Sequence, residues 1–104
     1  DYEEVFGRLR SERLITKFVL KFPGDPSFSQ LQSTLEEKNV EEAFRAAHTL
    51  KGVAQNLGFT PLYEATATLT EVLRAGNLPE DDNMMNAVAK EYERTVAAIE
   101  QLNA

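Results

Sequence analysis

The 104-residue chain is predicted to be all-α: an antiparallel up-and-down four-helix bundle with one or two additional short helices at its N-terminus. Three observations predict this. Apolar residues recur at three- and four-residue spacing through the long segments. Capping residues, prolines and glycines separate those segments. No convincing strand appears. Connections of a few residues then make neighbouring helices pack antiparallel. A chain of this length organises around one hydrophobic centre, so a single domain spans 1–104.

The elements follow in order. A short first helix covers about 2–9. A second runs over 11–22 from Ser11 as N-cap, and Pro23, Gly24 and Pro26 prevent its continuation. Ser27 with Gln30 three residues on reads as a capping box for a third helix over 27–38, with Phe28, Leu31 and Leu35 on one face. Asn39 as N-cap and Glu42 at the third helical position open a fourth over 40–57, which Gly58 ends. Thr60 then Pro61 suits an N-cap and first helical position, starting a fifth helix over 61–75 that carries Leu62, Ala65, Leu69, Val72 and Leu73 before Gly76. After a polar loop, the last helix covers 82–102, with Met85, Val88, Tyr92, Val96, Ile99 and Leu102 in register. The third to sixth helices form the bundle, and the first two cover one end or flank of it.

Composition excludes several functions. With 11 basic and 17 acidic residues the net charge is -6, which disfavours nucleic acid or an anionic membrane as partner and favours another protein. There is no cysteine and one histidine, so thiolate chemistry and Cys- or His-based metal clusters are not expected. No apolar run reaches the roughly 20 residues that span a bilayer, and DYEEVFGRLR lacks the order of a signal peptide; the expectation is a soluble, cytoplasmic monomer. The first residue is Asp1 rather than methionine, as in a chain trimmed or excised from something longer. The Met84–Met85 pair reads as core and helix border. The acidic run Glu80, Asp81, Asp82 reads as a charge complement to a helix N-terminus.

The chemistry concentrates on the lone histidine, His48, in the stretch AAHTLKGVAQNLG over 46–58. At about 100° per residue, Ala43, Ala46, Ala47, Leu50, Val53, Ala54 and Leu57 form a broad apolar face away from His48. Arg45, Lys51, Gly52 and Gln55 share its side, with Phe44 at the border. The ring is therefore expected to project to solvent among cationic and amide groups. Lone helical histidines are ordinarily plain core or surface residues, but two neighbours point to a site. Lys51, one turn on, can reach an anionic group attached to the ring. An imidazole that is neutral near pH 7 is a competent nucleophile. Gly52, at i+4, costs the helix roughly 1 kcal/mol relative to alanine and clears the surface for another macromolecule's approach.

The run AHTLKG followed by NLG resembles the histidine-containing phosphotransfer (HPt) family. The flanking DPSFSQL, EEAFRAAH and GFTPLYEATATLTEVLR extend the likeness over about 18–74, and the last helix matches in pattern. The resemblance implies a four-helix bundle whose exposed histidine takes a phosphoryl group from a receiver-domain aspartate and passes it to an aspartate on another receiver. His48 would be the phosphoacceptor, Lys51 the group that steadies the phosphoryl oxygens, and Gly52 the space for the docking receiver. Many members place a Glu or Gln about 22 residues after the histidine to hold the second ring nitrogen; here that position is Thr70. Its hydroxyl, or the Gln55 amide, is left to hold the ring, and Arg45 is added from the helical wheel.

The resemblance further implies partners that are receiver domains of hybrid kinases and response regulators. It implies no cofactor in this chain, magnesium being expected in the receiver's acidic pocket, and no catalytic activity of its own. Isolated glycines form no phosphate-cradling loop, so ATP binding is not expected. Two other readings compete: the phosphoacceptor domain of a larger hybrid or chemotaxis-type histidine kinase, phosphorylated by its ATP-binding domain, and a helical adaptor without phosphotransfer. Retained His48, Lys51 and Gly52 argue against the adaptor, which would gain helix stability from alanine at 52.

Overall fold

The computed structural model describes residues 19–102. After residues 19–21, which are helical, come a 3-10 turn, Phe22–Gly24, and four α-helices: α1 Ser27–Glu36, α2 Val40–Leu57, α3 Thr60–Arg74 and α4 Asn83–Leu102. There is no strand among the described residues, and the fold is an all-α helical bundle. Helices consecutive in sequence pack on one another, α1 on α2, α2 on α3 and α3 on α4. The helix expected over 2–9, and most of that over 11–22 with its Ser11 cap and Phe18, lie outside the described residues.

The helix starts show where side chains take over orphan backbone donors. Asn39 caps α2 as its spacing predicts, its side chain accepting the Glu42 N–H at 3.2 Å. Ser27 does not cap α1. It is the first helical residue, and its own N–H donates to the Asp25 carboxylate at 2.8 Å, because an aspartate two residues upstream reaches that amide across Pro26. α4 repeats the arrangement: the Asn83 N–H donates to Asp81 at 2.9 Å. In α3 the helix already begins at Thr60, Phe59 holds the cap position without a side-chain bond, and Pro61 falls within the first two positions.

The ends are equally local. α2 stops at Gly58, left-handed at φ 77°, with the Phe59 N–H returning to the Ala54 carbonyl at 2.8 Å. Gly76 does the same after α3 at φ 86°. α1 ends at Glu36, two residues earlier than the pattern suggests. Lys38 adopts φ 58° there, and the Asn39 N–H returns to the Thr34 carbonyl at 2.9 Å.

The core lies between these helices. α2 contributes Leu50 and the four alanines Ala43, Ala46, Ala47 and Ala54, whose small side chains let neighbouring axes approach. α1 adds Leu31, α3 adds Leu62, Leu69 and Leu73, and α4 adds Val88 and Ile99. Val53 and Leu57, placed by the wheel on the same face, are only half-buried: they line a surface groove with Leu20, Lys21 and Phe22. Phe22 is edge-on to Phe59 at 5.1 Å and tilted against Tyr92 at 5.6 Å, and Phe28 stacks on Tyr92 at 3.9 Å. Met84 and Met85 pack partly buried against the core.

Three threonines are buried with the leucines. Thr66, Thr70 and Thr95 each donate their hydroxyl to the carbonyl four residues earlier at 2.7 Å, which removes the cost of an unpaired hydroxyl in the core.

Candidate functional site

His48 stands in the middle of α2 on its exposed side, as the buried alanines and leucine behind it require. Lys51 and Gly52 follow on the next turn, both half-buried, and Gln55 is exposed one turn further. Lys51 has no acidic partner among the described residues, so its ammonium is available to an incoming anion. A Cβ added to Gly52 would meet nothing within 4 Å. No neighbouring helix therefore requires a glycine here, and the space above its backbone is open to solvent.

Arg45 is placed differently in its chemistry. Its guanidinium is taken up by two carboxylates of the preceding turn, Glu42 at 2.9 Å and Glu41 at 3.0 Å. Exposed pairs of this kind contribute at most about 1 kcal/mol. They nevertheless leave Lys51 as the unpaired cation nearest His48 on its own helix.

Thr70 is fully buried in α3, with its hydroxyl donated to Thr66. Among the described residues, no hydrogen bond joins Thr70, Gln55 or any other side chain to the imidazole. The ring's neighbour is Phe44 instead, one turn earlier on α2, with centroids 5.8 Å apart and planes within 23°. The Arg74 guanidinium, from the last turn of α3, lies over the Phe44 ring at 5.1 Å, and its Nε donates to both Glu71 carboxylate oxygens at 3.2 Å.

The structure thus brings together His48, Lys51, Gly52 and Phe44 as the helical period arranges them, and adds Arg74 with Glu71, which sequence reasoning missed. Phe44 and His48 are an i,i+4 pair and legible as such. Arg74 is on another helix, and no spacing rule links it to Phe44; only the packing of α3 on α2 does.

The arrangement offers a solvent-facing imidazole with one free ammonium a turn away and a cleared approach beside it. This is an open surface that a macromolecular partner can approach, rather than an enclosed pocket for a small substrate. The chain is 28% identical over 109 aligned residues to a chemotaxis protein, CheA, of Halobacterium salinarum; that alignment covers all of this chain and 15% of the relative. The chain therefore spans about a seventh of the length of that curated relative. No solved structure matches it. The model of the family described as Hpt domain matches residues 24–101, taking in all four helices almost entirely along with His48, Lys51 and Gly52, and the chain belongs to that family.

Proposed function

We propose that His48 is the phosphoacceptor of a phosphorelay, loaded from an aspartyl phosphate on one receiver domain and discharged to an aspartate on another. The observation that carries this reading is the exposed His48 with Lys51 and open space at Gly52 beside it, in a chain of the Hpt family. A lone pair on one ring nitrogen attacks phosphorus. The N–P bond forms as the P–O bond to the aspartate breaks, the bonding pair leaves with the carboxylate, and the other ring nitrogen keeps its proton until solvent takes it. The return step reverses these movements with a second aspartate as the nucleophile.

Lys51 balances the phosphoryl charge at a site open to water. One ammonium, rather than a cage of arginines, leaves the phosphoramidate reactive enough to be passed on. Gly52 admits the receiver's backbone close to the ring.

A second reading is favoured by the alignment of the entire chain with a small part of a much longer chemotaxis protein. In it, this domain is the phosphoacceptor module of a histidine kinase, and an ATP-binding domain supplies the phosphoryl group. Incubation of the chain with a phosphorylated receiver, and separately with ATP and a histidine-kinase catalytic domain, distinguishes the two by donor. In either case phosphorus NMR of the product shows a phosphoramidate. His48→Gln abolishes uptake while circular dichroism reports unchanged helix content. Acid-labile phosphate remaining on that variant would overturn the assignment.

A further inference from the structure

We propose that Phe44, held by Arg74, is the positioning residue for the His48 ring, and that stacking takes the place of a side-chain hydrogen bond in orienting the nucleophile; this rests on His48 as phosphoacceptor. An exposed histidine on a helix has two open χ1 wells. Something must select one if the attacking nitrogen is to face the partner reproducibly. Among the described residues no hydrogen bond reaches either ring nitrogen, and Thr70, the α3 hydroxyl that the family resemblance offers to the ring, is buried and bonded to the Thr66 carbonyl.

Phe44 meets the requirement. It is half-buried and packed against the core, so its own ring is fixed, and its plane lies within 23° of the imidazole at 5.8 Å. Arg74 covers it from α3 at 5.1 Å and is itself steered by the two Glu71 oxygens. The contact therefore ties ring orientation to the packing of two helices rather than to one flexible side chain. Cation–π and near-parallel aromatic contacts are each individually modest, which keeps the ring free to change partners after it is loaded.

The test compares Phe44→Leu, Phe44→Tyr and Arg74→Gln with the parent chain. One readout is the transfer rate from a phosphorylated receiver across receiver concentrations; the other is the proton NMR shifts of the His48 ring. Phe44→Leu is expected to lower transfer at saturating receiver about three- to tenfold and to move the ring protons downfield as the neighbouring ring current is lost. Phe44→Tyr retains both parent values. Arg74→Gln, at an exposed ion pair outside the core, moves both in the same direction by a smaller amount.

Parent rate and parent shifts in Phe44→Leu would overturn the proposal. So would an effect confined to the receiver concentration for half-saturation, since Phe44 would then be a docking contact. If the parent chain takes up no phosphate, the phosphoacceptor reading fails, while the ring-proton shifts still decide whether the stack orients His48.

Discussion

Gly52 occupies a mid-helix position where nothing in the fold asks for a glycine: a Cβ there would meet no atom within 4 Å. Gly52→Ala is accordingly expected to stabilise the domain by about 1 kcal/mol, read as a higher urea midpoint. The larger Gly52→Gln should leave the fold at least as stable yet slow transfer from a phosphorylated receiver. Transfer at the parent rate would contradict a clearance role. The exposure of His48 and the approach at Gly52 were both readable from a helical wheel, because burial on α2 follows its period. Thr70 was not. The family resemblance offered its hydroxyl to the ring, whereas burial against the core and the Thr66 carbonyl claimed it.

At the scale of elements, the caps explain where the helices divide. Three of the four helices end with a left-handed residue, and two of those are Gly58 and Gly76, which bear that conformation without penalty. The third is Lys38, whose φ of 58° places its Cβ against the following carbonyl. Lys38→Gly should therefore raise stability by about 0.5–1 kcal/mol in denaturant unfolding, the relief being offset in part by the freer unfolded chain. An unchanged or lower midpoint would show that Lys38 carries no backbone strain. Nothing in a lysine announces this conformation, which is why α1 read two residues too long. Similarly, Ser27 has the composition of a cap, but Asp25 reaches the free amide first.

For the molecule as a whole, a ring cluster joins segments distant in sequence. Phe22, Phe28, Phe59 and Tyr92 come from the 3-10 turn, α1, the α2–α3 connection and α4. Burial, and secondarily the Asp25 carboxylate, pushes the Tyr92 phenol above its ordinary value of 10.0. The neutral phenol is thus favoured more in the folded than in the unfolded chain. Its contribution to stability is complete below about pH 10 and is lost as pH rises through the raised folded value. Tyr92→Phe keeps the stack on Phe28 and should flatten the fall in melting temperature between pH 9 and 11. An identical fall in the variant would assign the alkaline loss to other groups.

The sequence by itself determined the helical class, the apolar face of α2, the solvent-facing His48 with Lys51 and Gly52, and the Asn39 and Gly58 caps. All of these depend on residues within a few turns of one another, where helical geometry alone sets the neighbours. Only the tertiary structure decided that Thr70 is sealed in the core and that Arg74 reaches across to Phe44. Thr70 and Arg74 depend on how α3 rotates against α2, a choice made by packing the whole apolar surface at once. The Arg45 pairs with Glu41 and Glu42, by contrast, are local to α2 at i,i+4 and i,i+3 spacing. The exposed position of the imidazole was legible along the chain; the cover that Arg74 gives the neighbouring Phe44 ring was decided between helices.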